Sequence, residues 1–341
     1  MSYRRWLSLG LGLCSACLFG AKPEAPVPHS ESEAELKSAE DEFREAKKMF
    51  QPYYAGPLIT PSAHIIPPGY FNIQPYLFYT NNYGRFDESG KSHDIPNLNN
   101  FNPQVVFQFG MISWMDGIIV AQGTRNTQRG KSSTNWGDTS FGLGFGLLSE
   151  GPYRPALFFG VTETFPTGKY QHLSAHKNGI DATGAGSYQT KFSFNISKVV
   201  WWVTTHPMNL RLSLNYNVPA PVTVSGINAY GGARNTHGKA HLGQGFQGDF
   251  GYEYSFTQRW VFALDVVYTY NAKTTFSGRR GGTPAAPAVV GGPFNDQLSL
   301  APAIEYNPSE NFGILGGVWF TVWGRNSFNF VSGVFSLEYT F

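Results

Sequence analysis

Charged residues are scarce along most of this chain, so those that interrupt its apolar stretches are the first candidates for chemistry. Two cations and three carboxylates stand out in this way: Lys191, Arg211, Asp249, Asp265 and Glu305. Neighbouring carboxylates repel one another and need a cation beside them. A cluster of these five residues would either brace a protein wall or form a charged constriction that screens passing solutes.

Two other patterns match known site motifs in their letters only. His172 and Ser174 are two residues apart, as a catalytic pair on a strand can be, but they lie in a predicted loop. Gly243, Gly245 and Gly248 match a dinucleotide-binding fingerprint, yet no βαβ unit surrounds them. We therefore predict no enzymatic activity, no catalytic residue and no cofactor.

Metal binding is not indicated by the histidines. His172 and His176 are four residues apart, and so are His237 and His241. That spacing directs two imidazoles at one metal ion only when a helix carries them, and loops are predicted at both places. We assign no metal site.

The elements that must position the five charged residues are β-strands. Between residues 208 and 218, Leu210 and Leu212 alternate with Arg211 and Ser213, which is the period of a strand. A strand of this kind has one face fit for lipid and one face fit for water. The same alternation, weaker in some places, recurs in twelve segments: 70–80, 104–111, 118–127, 137–148, 156–165, 188–197, 208–218, 246–254, 260–270, 298–306, 312–323 and 327–341.

The connections between these segments alternate in length. The long ones are rich in Gly, Asn and Pro: 81–100, 128–135, 167–187, 219–241 and 274–293. The short ones are 113–116, 150–155, 255–258 and 307–311, and a tight turn at 324–326 closes the series. Outer-membrane barrels have short periplasmic turns and longer extracellular loops, so the pattern places both termini at the periplasmic end. A β-sandwich would instead show a charged outer face and no alternation of loop length.

The last predicted strand, Ser327 to Phe341, ends the chain on an aromatic residue. Phe335 and Tyr339 lie on its apolar face, and Glu338 lies on the polar one. Such a strand resembles the C-terminal strand of bacterial outer-membrane β-barrel proteins, in which the assembly machinery recognises the terminal Phe. The resemblance implies an all-β fold, a transmembrane antiparallel barrel of about twelve strands. It also implies that Tyr339 and Phe341 form the assembly signal, with outer-membrane lipid and the barrel-assembly machinery as partners.

Composition agrees with a membrane barrel and not with a soluble domain. Charged residues make up 14% of the 341 residues, whereas soluble domains average about 25%. Aromatic residues reach 16%, and there are 39 glycines. The formal net charge is only +2 and no cluster of five or more Lys or Arg occurs, so nucleic acid is not an expected partner.

Residues 1–21 have the features of a secretory signal peptide. A basic start precedes an apolar run over 6–19 that is too short to span a bilayer, and small residues follow it. Cys14 and Cys17 both lie in this segment, so the mature chain would contain no thiol, which suits passage through an oxidising periplasm. Acylation of Cys17, as in a lipoprotein, is the alternative.

Residues 22–68 precede the barrel, which we place at 69–341. Ser30 and Glu33 form a capping box, and a helix is predicted from Ser30 to Phe50. Its apolar stripe is narrow, so we expect a solvated periplasmic helix; a plug in the lumen and a self-associating seam are the alternatives. A proline-rich linker then joins the helix to the barrel.

Two consecutive segments resemble a known family. WGDTSFGLGFGLLSE and RPALFFGVTETFPTGKY, with Gly137 and Asp138 in the first and Pro166, Thr167 and Gly168 in the second, match the pattern of outer-membrane proteins linked to the meta-pathway of phenol degradation. The rest of the chain resembles that family by architecture alone. The resemblance implies a transporter-like barrel that admits hydrophobic or aromatic compounds, and the family supplies no catalytic residues.

Register arithmetic suggests how the five charged residues could meet. Folding the chain about the short turn between them places Asp249 opposite Asp265, both on the polar face. Folding about the preceding long loop places Arg211 opposite Asp249. Lys191 and Glu305 would extend this row onto the neighbouring strands, so we predict a cluster that lines the lumen and that either braces the wall or sets selectivity.

The function predicted from these features is a passive outer-membrane channel or transporter for small solutes. Barrels of about eight strands are filled by side chains and those of sixteen to eighteen leave an aqueous channel, so twelve strands imply a narrow or partly occluded lumen. The alternative is a structural or surface-exposed barrel whose long extracellular loops bind a partner.

Overall fold

The computed structural model describes residues 33–38, 40–41, 52–177, 179–202 and 206–341. Residues 33–38 and 40–41 are helical and exposed, within the segment for which a helix is predicted. The remainder of that helix, the signal peptide and both cysteines fall outside the described residues. Within the described ranges, no helix is both long enough and apolar enough to cross a membrane.

Twelve antiparallel strands form a closed wall in which each strand pairs with its neighbours along the chain and the last pairs with the first. They are β1 Phe71–Phe86, β2 Ser92–Ile112, β3 Met115–Gln128, β4 Thr139–Leu148, β5 Ala156–Phe165, β6 Gln189–Val200, β7 Met208–Pro219, β8 Gly245–Ser255, β9 Trp260–Asn271, β10 Asn295–Ser309, β11 Phe312–Arg325 and β12 Phe328–Thr340. A thirteenth strand in the same sheet, Lys131–Trp136, only extends the β3 hairpin. Closure leaves no strand edge in hydrocarbon, where unpaired backbone groups are costly.

The two faces of the wall follow the predicted alternation. Arg211 is 6% exposed and faces the lumen, whereas the next residue, Leu212, is 37% exposed on the outside. Asp249 and Phe250 repeat the contrast on β8, at 1% and 43%. The exposed apolar side chains form the surface that lipid would cover.

The connections at one end of the barrel are short, whereas at the other end three long loops stand beside tight turns such as 326–327. Residues 113–114, 256–259 and 310–311 are among the short turns, at the end where the first strand begins and the last one finishes. This arrangement agrees with the predicted orientation.

Two of the predicted loops are wrong. Residues 131–135, within the predicted loop 128–135, belong to the strand Lys131–Trp136. Residues 81–100 are mostly strand, because β1 continues to Phe86 and β2 begins at Ser92. This hairpin extends past the apolar band, where both faces are polar and the apolar alternation that identifies a strand disappears. The sequence pattern therefore marks only the part of a strand that faces hydrocarbon.

The long loops fold together into a unit that we call the loop cap, formed by the described residues of 166–188, 220–244 and 272–294. Three short strands form its main sheet, Val222–Ser225, His237–His241 and Thr275–Arg279. Val222, Val224 and Ala240 form the buried side of this sheet, and Tyr170 of the first loop packs against them. The cap also contains the paired strands Gly282–Thr283 and Ala286–Pro287 and a 3-10 turn, Ala175–Lys177.

Candidate functional site: a plugged lumen

Residues 52–66, which we call the plug, lie inside the barrel as a segment without regular secondary structure. The segment starts at the short-turn end, where Tyr53 donates its backbone N–H to the carbonyl of Gln258, 2.9 Å away. It returns to the same end, where Pro68 forms a bridge to Gly110 near the end of β2. The proline-rich stretch is therefore not only a linker that leads to the barrel, since most of it occupies the lumen.

Carboxylates of the wall hold the first half of the plug. The backbone N–H of Ala55 donates to Oε2 of Glu305 at 3.1 Å. The N–H groups of Ile59 and Thr60 donate to the two oxygens of Asp265, at 3.0 and 2.9 Å. An irregular buried segment cannot satisfy its own backbone donors, so wall side chains must do so.

The opposite wall holds the second half. Oγ of Ser197 accepts the N–H of Ala63 at 2.9 Å, and Oδ2 of Asp116 accepts the N–H of Ile66 at 3.1 Å. The plug is thus suspended across the lumen between β9 and β10 on one side and β3 and β6 on the other.

Small residues of the wall make room for the plug. Leu58 is buried in a cluster that includes Ala263, Ala301 and Ala303 of the wall. A Cβ atom on Gly317 would lie 2.7 Å from Cδ1 of Leu58, too close for any larger residue without movement of one of them. The pattern of small inward residues on β9 to β11 therefore fits the shape of the plug.

Arg211 is buried beside the plug and is paired with a carboxylate. Its Nε lies 2.7 Å from Oε2 of Glu253 and its Nη2 lies 3.2 Å from Oε1 of the same residue. Asn209 donates a further hydrogen bond to Glu253 at 2.8 Å. On the plug, Gly56 has a φ of 104°, and a Cβ atom there would lie 2.9 Å from the guanidinium of Arg211. Glycine is required here both for the backbone angle and for the close approach.

The predicted row of charges has the right face but the wrong register. Asp249 pairs across the sheet with Val267, and Asp265 pairs with Gly251, so the two carboxylates are not opposite each other. The hairpin turns one residue later than predicted, which shifts the pairing by two. Arg211 likewise stands opposite Gly251 and not opposite Asp249.

Glu253 is the functional residue that the sequence prediction missed. It lies four residues after Asp249 on the same strand, so alternation alone places both in the lumen. The register places Arg211 opposite Gly251, midway between Asp249 and Glu253, and the side-chain contacts show that Glu253 is the partner of Arg211.

The five predicted residues all lie on the lumen side but divide into three groups. Asp265 and Glu305 hold the plug, and Arg211 pairs with Glu253. Lys191 and Asp249 line a cavity beside the plug. Asp249 there accepts hydrogen bonds from the amides of Gln247 and Asn215.

The cavity has a volume of about 1090 Å³ and two chemically different walls. Its apolar wall is formed mainly by aromatic and aliphatic side chains: Tyr76, Phe78, Val106, Ile118, Phe158 and Trp319. Its polar wall is formed by charged and amide side chains of β6 to β8: Lys191, Asn195, Arg211, Asn215, Gln247 and Asp249. A second cavity of about 540 Å³ lies nearer the loop cap and is lined by amides such as Asn102, Gln122 and Asn126. The lumen is therefore able to contact both an apolar and a polar group of one solute.

A carboxylate at the short-turn end ties the plug to the wall. Glu150 accepts hydrogen bonds from Lys198 and from the N–H of Val199, at 3.2 and 3.0 Å, and lies 3.2 Å from Nε2 of His64 on the plug. Burial opposes the ionisation of Glu150, but these hydrogen bonds and the charge of Lys198 outweigh it, so the pKa of Glu150 is lowered. Glu150 therefore favours its charged form while it is in contact with the plug.

The histidine pairs considered from the sequence both lie in the loop cap. His237 and His241 lie on the strand His237–His241, whereas the sequence predicts a loop there. Among the described residues no group of three or more His, Cys, Asp or Glu is placed to hold a metal ion.

No protein-family model matches the chain, and no curated protein sequence matches it. The resemblance to the phenol-degradation family therefore stays a prediction.

Similarity to solved structures is clear in fold and low in sequence. An outer-membrane channel from Pseudomonas putida F1 has a TM-score of 0.62 at 10% identity, covering 83% of this chain and 100% of that one. The translocator domain of the autotransporter NalP from Neisseria meningitidis has a TM-score of 0.44 at 10% identity, covering 91% and 97%. The toluene transporter TodX from Pseudomonas putida has a TM-score of 0.36 at 10% identity, covering 79% and 89%. The first of these likenesses, together with the closed wall and its apolar outer surface, shows that the chain has the fold of a twelve-stranded outer-membrane β-barrel.

Proposed function

We propose that this protein is a passive channel that admits small solutes through the outer membrane. The observation that carries the proposal is the cavity of about 1090 Å³ inside the closed wall, with its apolar and polar sides. Side chains fill the lumen of barrels of about eight strands, whereas in this barrel of twelve strands the wall and the plug together leave this space open.

The solutes that best fit the cavity are small molecules with an aromatic or aliphatic body and a polar group. Phe158 and Trp319 offer ring surfaces for the body, while Lys191 offers a donor for the polar group. This agrees with the hydrophobic and aromatic cargo that the family resemblance implies.

The plug determines how such a solute would pass. It crosses the lumen near the short-turn end, so a solute that enters from the loop end reaches the cavity first and the plug second. Passage then requires either a gap beside the plug or a shift of residues 52–66. We expect small single-channel currents for the native protein.

Flux measurements on refolded protein test the proposal. Liposome swelling with a panel of solutes of matched size should show uptake of aromatic and aliphatic compounds that carry one polar group. Ser193→Trp, which adds bulk at a cavity-lining position, should abolish this flux. Phe192→Trp is the matched control, because Phe192 is 41% exposed on the outer face and its replacement should leave flux unchanged.

The alternative is a surface-exposed barrel whose loops bind a partner. The interlocked loop cap favours it, since the cap is folded around its own small core. Absence of any flux through the native protein would support this alternative. Flux that is equal in both tryptophan variants would mean that solutes do not pass through the cavity.

A further inference from the structure

The loop cap carries positive charge with almost no negative charge to balance it. Residues 220–244 and 272–294 contain no Asp or Glu, and their cations are Arg234, Lys239, Lys273, Arg279 and Arg280. In the described part of the first loop, Asp181 is bonded to Lys169 at 2.8 Å. The excess positive charge therefore belongs to the second and third loops.

The sheet of the cap displays part of this charge in a fixed arrangement. Alternation sends Val222, Val224 and Ala240 to its buried side, so the residues between them point to solvent. The solvent side, which we call the basic face, is formed by exposed or half-buried residues: Thr223, Ser225, His237, Lys239, His241, Thr275, Ser277 and Arg279.

Strand pairing orders these residues into rows. Ser225, His237 and Arg279 stand side by side in one row. Thr223, Lys239 and Ser277 form the next row, and His241 pairs with Thr275 in the third. Neighbours across strands are about 5 Å apart, and rows are about 7 Å apart along the strands. Cations and hydroxyl groups therefore alternate over a flat area.

None of the basic groups on this face is neutralised by a carboxylate among the described residues. His237 is hydrogen-bonded to Ser225 through Nδ1 at 2.9 Å, and His241 is hydrogen-bonded to Ser277 through Nε2 at 3.2 Å. Nε of Arg279 donates to the carbonyl of Asn235 at 2.8 Å, which anchors the guanidinium at its inner edge. The outer nitrogens of Arg279 keep their donors for an external anion.

We propose that the basic face binds a highly anionic polysaccharide at the cell surface. The face is flat and exposed, so it suits a polymer with repeated charges better than a small anion, which requires an enclosing pocket. It presents no large apolar side chain of the kind that anchors a protein partner. Cations would bind sulfate, phosphate or carboxylate groups of the polymer, and the Ser and Thr hydroxyls would bind its sugar hydroxyls.

Binding to the refolded full-length protein tests this proposal. The probe is fluorescent dextran sulfate, with neutral dextran as the uncharged comparison and double-stranded DNA as the alternative polyanion. Lys239→Gln combined with Arg279→Gln should weaken dextran sulfate binding about tenfold or more, because two charge-assisted contacts are lost. Lys91→Gln combined with Arg129→Gln is the matched control, since it removes the same charge from exposed positions at the same end of the barrel.

The outcomes separate specific binding from general attraction. A loss confined to the Lys239 and Arg279 variant, in protein that keeps its heat-modifiable folded band, supports the proposal. An equal loss in both variants, or no loss in either, overturns it. Binding of DNA as tight as that of dextran sulfate would also overturn it, because the face would then not distinguish a polysaccharide from another polyanion.

Discussion

At the scale of single residues, carboxylates outnumber cations around the described lumen. The buried or cavity-lining carboxylates are Asp116, Glu150, Asp249, Glu253, Asp265, Glu305 and Glu338, against the cavity-lining cations Lys191 and Arg211. Most of them have a structural task, since Asp116, Asp265 and Glu305 hold the plug and Glu253 pairs with Arg211. Glu338 lines the cavity and accepts a hydrogen bond from the amide of Asn72, and Asp249 likewise faces the cavity with amide donors alone. An ion that crosses the lumen would meet its charge directly.

Two substitutions should separate the screening role from the holding role. Asp249→Asn should lower the preference for cations over anions, measured as a reversal potential in a salt gradient, with little change in conductance. Asp265→Asn removes an acceptor that holds the N–H groups of Ile59 and Thr60, so it should loosen the plug and raise conductance about twofold or more. Unchanged ion selectivity in both variants would show that these carboxylates only brace the wall.

At the scale of the strand, each β-element is defined by which of its faces meets lipid. Leu212 is exposed on the outside of β7, directly next to the buried Arg211. Leu212→Lys, or Leu143→Lys on β4, should cost about 2 to 4 kcal/mol of unfolding free energy if the position lies near the bilayer midplane. Urea unfolding in lipid vesicles measures this cost, and Thr223→Lys in the loop cap is the exposed control. Equal tolerance of Leu212→Lys and Thr223→Lys would contradict the face assignment.

The last strand closes the barrel through its final residue. Phe341 exchanges backbone hydrogen bonds with Phe71, each 2.9 Å long, and its ring stacks on those of Phe71 and Tyr339. Removal of Phe341, or Phe341→Lys, should therefore reduce the fraction of protein that reaches the folded, heat-modifiable form. Val289→Lys is the control, because Val289 is 79% exposed in a long loop. Similar folded fractions for both variants would mean that the terminal residue is not part of the assembly signal.

At the scale of the whole molecule, the sequence predicts the features that depend on alternation along a strand. It does not predict those that depend on contacts between residues far apart in the chain. The strands with an apolar face and the lumenal placement of Asp249 and Asp265 follow from a period of two. The register places Arg211 opposite Gly251, between Asp249 and Glu253, and its pairing with Glu253 depends on the direction of the side chain, which no local pattern determines. The plug has no period at all, since Pro57 and Pro61 prevent regular structure, and its position depends on wall residues far away in the chain.

The attachment of the plug at the short-turn end should make the stability of the protein depend on pH. The pKa of Glu150 is lowered in the folded protein, because hydrogen bonds and Lys198 outweigh the effect of burial. A carboxyl group of this kind stabilises the fold above its unfolded pKa, which is about 4.3 for glutamate, and loses that effect as the pH falls through the lower folded value. Glu150→Gln should therefore lower the melting temperature of the refolded protein at pH 6, and the difference from the native protein should shrink as the pH falls from 6 to 3. Glu310→Gln, at an exposed position of the turn 310–311, is the control and should show no such difference at either pH. A difference between native protein and Glu150→Gln that stays constant from pH 6 to pH 3 would show that the ionised form of Glu150 does not hold the plug.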